Sequence, residues 1–410
     1  MTTHADITAA GLLPFDPFDA EVMADPYPYF AWMREHDPVH YVDTLGMPLI
    51  TRATDVEAAL RDVTTFSSAG WMELMFGDYQ VIPEVKFLLS LDPPEHTRLR
   101  RLVNTAFTRN MVANLETAMR RVVDEALNDL AESDAPDLVR DIAIPVPIKV
   151  IAAMTGVDPD MTDDFARWGA TVVHAINVNV SGHVPHENWD AEVADAIRNL
   201  RDYYFALIED RRRNPRDDLA TALVHASDDE DKLSELEVIS VLNSSVNAGF
   251  ETTGKLIGNL MLALFQHPDQ LAALRANPGL IPAAVQEGLR YDSPALFLPR
   301  LLTRDHEVAG TQLESGFCLV SYASANHDPA KFPDRPDSFD ISRNTKGHIA
   351  FGLGPHFCLG AHLAPRETEV VLEGLLRRFR DLTYDPDGVR RDPTFFLRGL
   401  ASLPVEVRPA

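Results

Sequence analysis

Residues 351–360 read FGLGPHFCLG, and the fold turns on how they are read. Three glycines surround Cys358, one of only two cysteines in the chain, and His356 stands two residues before it. Gly352 and Gly354 permit a tight turn that residues with side chains resist, and an apolar helical run follows the cysteine. The Gly-x-Gly is not a phosphate loop, because the third glycine is wrongly spaced and no Gly-Lys-Ser follows. Zinc would need a second cysteine at ligand spacing, and the sequence has none. By itself Cys358 is open to three readings: an inert buried thiol, a nucleophile with His356 as its base, or a soft anionic ligand to one metal centre. For the third, backbone N–H groups opening the following helix would stabilise a thiolate.

Composition narrows the setting. The chain has 410 residues, of which 45% are hydrophobic, enough to bury a large core. Its 62 acidic and 37 basic residues leave a formal charge of -25, which argues against nucleic acid and anionic membrane as partners. The first thirty residues lack a basic segment followed by an apolar run, and no window reaches the roughly 18 apolar residues of a spanning helix. A cytoplasmic protein is expected, and there a disulfide between Cys318 and Cys358 is disfavoured.

Apolar residues recur at three and four over 55–63, 110–132, 192–214 and 366–382, so most of the chain reads as helix. Strand-like stretches are short, falling at about 39–55, 296–325 and 394–408. With no linker and no repeat, residues 1–410 read as a single domain, mainly α with a small β portion (α+β). The longest helix signal runs from Glu235 to His267, opened by a Ser234/Glu237 capping box and stopped by Pro268.

That helix is apolar on nearly every face yet carries AGFETT at 248–253, where an acid at the centre is costly. Thr252 can turn its hydroxyl to the carbonyl of Ala248, and Gly249 leaves space beside it, so Glu251 and Thr252 would line a polar gap able to deliver protons. Glu287 and Arg290 share a helical face three residues apart; if buried they need a third partner, and Arg343 is a candidate. His96 and Arg100 lie four apart after Pro94. With Arg300 and His356 they supply donors able to clamp carboxylates.

These groups, in this order, closely resemble the cytochrome P450 family in its soluble bacterial form. FGLGPHFCLG matches the family's haem loop, Phe-x-x-Gly-x-x-x-Cys-x-Gly, at every fixed position. AGFETT resembles the oxygen-binding motif, EGLR the Glu-x-x-Arg pair, FDISR the arginine completing it, and HTRLR the propionate contacts. The resemblance implies the family fold, a triangular helical prism with haem between the long central helix and the helix after the cysteine. It implies haem b with Cys358 as proximal thiolate, O2 as co-substrate, and Phe351 against the haem. Ala248, Gly249 and Gly360 would approach the cofactor, His96, Arg100, Arg300 and His356 would hold its propionates, and Glu251 with Thr252 would relay protons. Glu287, Arg290 and Arg343 would be structural.

The implied activity is monooxygenation, hydroxylation or epoxidation, of a hydrophobic small molecule such as a macrolide, terpenoid or steroid. No nicotinamide or flavin fingerprint is present, so two electrons would come from a separate ferredoxin and its reductase. Arg101, Arg109 and Arg366 would form the local basic patch for an acidic donor. A peroxide-driven enzyme is an alternative, against which Glu251 and Thr252 argue; a non-catalytic haem sensor is another. Trp71, Met72, Met75, Phe76, Val173, Ile176, Val246, Leu296, Phe297 and Phe396 are candidate walls of an apolar pocket. A monomer is expected. One departure stands out: where the family commonly reads Leu-Ala-Arg-x-Glu, Pro365 replaces the arginine, and a helix beginning at the cysteine would be kinked there.

Overall fold

The computed structural model describes residues 15–107, 109–182, 184–226 and 231–409. The chain forms two compact units, one of Met1–Ser67, Ala126–Ala143 and Thr252–Ala410, the other of Ser68–Glu125 and Ile144–Glu251. The division falls within the helix Glu235–Gln266.

The first unit is built on a five-stranded sheet, in the spatial order Val39–Val42, Met47–Ile50, Gly316–Ser321, Phe297–Leu302 and Phe66–Ser67. Met47–Ile50 and Gly316–Ser321 run parallel, and the other neighbours are antiparallel. The register sets Arg300 opposite Cys318, a pairing no local pattern encodes. Ile50, Val56, Leu60, Phe66, Leu302, Cys318, Val320, Tyr322 and Ile349 close one buried cluster on this sheet. Burial pushes the Cys318 thiol up to about 12, so it is an inert member of the core. The strand-like run through 325 ends sooner than its apolar character suggests. Ser321 Oγ accepts from the Ser324 amide at 3.1 Å and starts a short helix, Tyr322–Asn326. Toward the C-terminus Phe379–Tyr384 pairs with Val405–Pro409, and Arg390–Arg391 with Leu400–Ser402, so the first member of each pair lies before the expected 394–408.

The second unit is helical: Glu95–Ala106, Arg109–Glu132 as far as Glu125, Pro145–Thr155, Thr162–Ser181, Trp189–Arg213 and Glu235–Gln266 as far as Glu251. The capping box forms in both directions. Ser234 N donates to Glu237 Oε2 at 2.7 Å, and Glu237 N to Ser234 Oγ at 3.3 Å. The helix ends at Gln266, and Pro268 opens the next one instead of a loop.

Candidate active site

The cysteine loop is turned by two left-handed glycines, Gly352 at φ 70° and Gly354 at φ 73°. A β-carbon on Gly354 would stand 2.7 Å from the Leu60 carbonyl oxygen, so only glycine fits where the loop meets the preceding helix end. Gly352 N donates to Ile349 O at 2.8 Å and Cys358 N to Phe351 O at 3.0 Å, which folds the loop back on Phe351. The Cys358 thiol is exposed. Its Sγ is 3.8 Å from the place a β-carbon on Gly360 would take, so glycine keeps that flank of the sulfur bare.

The helix after the cysteine starts later than its pattern suggests. Cys358 precedes a 3-10 turn, Leu359–His362, and the α-helix runs from Leu363 to Arg378. This corrects two expectations. The thiolate does not cap that α-helix directly, and Pro365 falls in its first turn, where its missing N–H forfeits no helical bond and forces no kink. Two residues on, Glu367 is buried with no hydrogen-bond partner for Oε1 among the described residues, and burial pushes its carboxyl up to about 8. Arg366 pairs within its own helix, donating to Glu369 at 2.8 Å and to Glu373 at 3.3 Å, so the acids beside it offset its charge as a docking cation. Arg101 is exposed, and the side chain of Arg109 lies outside the described residues.

Glu287, Arg290 and Arg343 come together. Arg290 meets Glu287 as a two-bond fork, 2.7 Å and 2.8 Å, with neither side chain exposed. Arg343 Nε reaches Glu287 Oε1 at 3.3 Å, and the Asp340 amide the same oxygen at 2.9 Å. The remaining Arg290 donors go to the carbonyls of Asn326, Pro336 and Ser338. Asn326, which no sequence motif singles out, ties this cluster to the cysteine loop. Its carbonyl accepts from Arg290 while its Oδ1 accepts from Ile349 N at 2.8 Å. His348 is a second such residue. Burial, aided by Lys331 and Arg290, lowers it to about 4, so it is neutral between Gln286 Oε1 and the Ala350 amide.

In the second unit His96 is buried on the helix Glu95–Ala106, and burial first, then Arg100, lowers its pKa against an opposing Asp92. Arg100 is half-buried with Nε on Asn104 at 3.1 Å. Ala248 is exposed and Glu251 half-buried, as is Thr252 across the division. Gly249 does not leave an open gap: a β-carbon there would lie 2.8 Å from Ile151 Cδ1, so that side is filled by the neighbouring helix. Trp71, Met72, Met75 and Phe76 occupy a short helix, Trp71–Phe76, packed on the helix Thr162–Ser181 that carries Val173 and Ile176. Asn179 fastens the two, donating Nδ2 to the carbonyls of Leu74 and Met75. All six are buried, as is Val246; in the first unit so are Leu296, Phe297 and Phe396, with Leu296 N on Phe396 O at 2.9 Å.

An accessible thiol on a glycine-turned loop, with a buried cation, Arg300, in the same unit, is a donor set that fits a haem: a soft anion for iron and a cation for a propionate. Such sites belong to haem-thiolate enzymes. The family model for cytochrome P450 matches residues 33–407. The 6-deoxyerythronolide B hydroxylase of Saccharopolyspora erythraea is 36% identical over 399 residues, 93% of this chain and 96% of that protein. A steroid C26-monooxygenase of Mycobacterium tuberculosis is 35% identical over 93% of each chain. The structure of cytochrome P450 CYP109Q5 from Chondromyces apiculatus superposes with a TM-score of 0.88 at 37% identity, covering 97% of this chain and 98% of that one. The chain belongs to the cytochrome P450 family: it is a monooxygenase that uses haem with a cysteine thiolate ligand, and O2. No helix among the described residues is long and apolar enough to cross a membrane.

Proposed function

We propose that Cys358 is the thiolate ligand of a monooxygenase that hydroxylates or epoxidises a hydrophobic natural product of the macrolactone or steroid kind. The observation that carries the ligand assignment is the contrast between the two cysteines. Cys358 is exposed on a loop matching the family motif, whereas Cys318 is buried in a strand with its thiol held protonated. When bound, the haem supplies the activation of dioxygen. The chain's own residues do the rest. Arg300 and His356, with His96 and Arg100, hold the haem carboxylates, and Phe351 packs beside the sulfur. The Glu251 carboxyl and the Thr252 hydroxyl bring protons to the oxygen side. Glu287, Arg290 and Arg343 brace the segments around Asn326, Pro336 and Ser338 and, through Asn326, the start of the cysteine loop.

The substrate class rests on the apolar character of the ten wall candidates and on the relatives named for 6-deoxyerythronolide B and steroid oxidation. Electrons come from a separate ferredoxin, and the protein works as a single-domain cytoplasmic monomer. The decisive experiment is the spectrum of the reduced protein with carbon monoxide. A strongly red-shifted Soret band is expected in the wild type and absent in Cys358→Ala; survival of the band in that variant sinks the assignment. Spin-state titrations with macrolactones, steroids and small aromatics, then turnover with ferredoxin against turnover with peroxide, test the substrate and electron source.

A further inference from the structure

The helix Glu235–Gln266 carries a buried lysine that none of the motifs above includes. Lys255, 6% exposed, lies three residues after Thr252 and donates Nζ to Asp392 Oδ2 at 2.6 Å. The other oxygen of that carboxylate accepts from the Thr394 amide at 3.0 Å and from its hydroxyl at 2.6 Å, so Asp392 is held on both sides. The stem of the lysine crosses Gly399, where any β-carbon would run into Lys255 Cγ. Asp392 N in turn donates to Gly399 O at 3.2 Å, which closes the loop 392–399 between the paired strands Arg390–Arg391 and Leu400–Ser402. One side chain therefore touches both ends of that loop. One turn further along the helix, Asn259 Nδ2 donates to Arg398 O at 3.0 Å and to Asp292 O at 3.1 Å. The loop carries Phe396, whose carbonyl accepts from Leu296 N, so two of the wall candidates are joined to it. Packing alone does not fix it, because Asp392, Phe395 and Leu397 line a cavity that Phe15, Pro17 and Val22 also line. An ammonium taken out of water has to keep its anion, and that requirement binds the loop to the helix.

We propose that Lys255 is a positioning residue for substrate: through Asp392 and Gly399 it holds the loop 392–399, and with it Phe396, at a set place relative to the helix turn that carries Thr252. The inference rests on the reading of Phe396 as a pocket wall. It concerns apolar ligands large enough to extend from the iron to that wall, and it leaves a ligand that meets the iron alone unaffected. A wall held in place before the ligand arrives spares the ligand the cost of ordering it.

The test titrates the haem-loaded protein with imidazole, which meets the iron alone, and with clotrimazole, econazole and phenylimidazole, whose aryl groups extend away from it. Binding is read from the Soret shift of nitrogen ligation. The proteins are wild type, Phe396→Ala, Lys255→Met, Lys255→Met with Asp392→Asn, and Lys255→Met with Phe396→Ala. Phe396→Ala is expected to weaken at least one aryl azole about tenfold relative to imidazole, the scale of one lost aromatic contact. Lys255→Met should weaken that same azole about fivefold and imidazole less than about twofold. In the Phe396→Ala background the lysine change should add less than about twofold. The variant that also carries Asp392→Asn has no unpaired carboxylate, so it reads the loss of the tie even where Lys255→Met alone fails to fold, and it should show the same fivefold loss of about 1 kcal/mol. Unchanged azole binding overturns the proposal. So does equal weakening of imidazole and the aryl azoles, which marks a general packing role, and so does a lysine effect that persists in full without Phe396. A Phe396→Ala variant that binds every aryl azole as the wild type does would overturn the wall reading itself, a result separate from these.

Discussion

Replacing Glu367 by glutamine should change how stability depends on pH. Glu367 is buried in the helix Leu363–Arg378 with Oε1 unpartnered among the described residues, and burial raises its pKa from 4.5 to about 8. The unfolded chain ionises this group above pH 4.5, whereas the folded chain holds the proton until about pH 8. The unfolded state therefore binds fewer protons between those values, and stability falls as pH rises through the window. One pKa unit corresponds to about 1.4 kcal/mol, so from pH 6 to pH 8 the wild type should lose about 2–3 kcal/mol through this carboxyl alone. Glutamine has nearly the same shape and cannot ionise. Urea denaturation of wild type and Glu367→Gln at pH 6 and pH 8 isolates the term, since every other titrating group cancels in the difference between the two proteins. The variant should gain about 2–3 kcal/mol on the wild type between the two pH values. A stability difference that is the same at both would refute the reasoning, because it would mean the carboxyl ionises in the fold as readily as in the unfolded chain.

Other outcomes follow from the same structure. Glu287→Gln strips the charge that faces Arg290 and Arg343, and breaking a buried pair in this way should cost about 3–5 kcal/mol, read as a lower denaturation midpoint. Gly249→Ala should lower the melting temperature, since its methyl would press on Ile151, and the loss should shrink in an Ile151→Val background, where Cδ1 is gone. Gly354→Ala meets a backbone oxygen at positive φ and should cost more than Gly249→Ala, with no single side-chain change able to rescue it. Thr252→Ala should lower the product formed per reduced cofactor consumed while leaving the carbon monoxide band in place, measured by coupled product and cofactor assays.

The parts of this molecule that were legible in its sequence are those whose cause is local. Gly352 and Gly354 announce a turn because the left-handed backbone they adopt excludes most other residues, and Ser234 with Glu237 announces a helix start because the box closes within four residues. Glu287 and Arg290 could be paired from their spacing, and Arg343 proposed as their third partner, because a buried guanidinium has more donors than one carboxylate can satisfy. What escaped depends on register and on contacts far along the chain. Phe66–Ser67 is too short for any periodic signal and is a strand only because Leu301 and Leu302 pair with it. Asn326 looked like one polar residue at the end of an apolar run, yet its two carbonyl oxygens bind Arg290, 36 positions earlier, and Ile349, 23 later. Pro365 looked like a break only because the intervening 3-10 turn was invisible to a periodicity of 3.6. The family was therefore readable from a ten-residue loop, while the register that sets Arg300 opposite Cys318 comes into view only once the sheet is assembled.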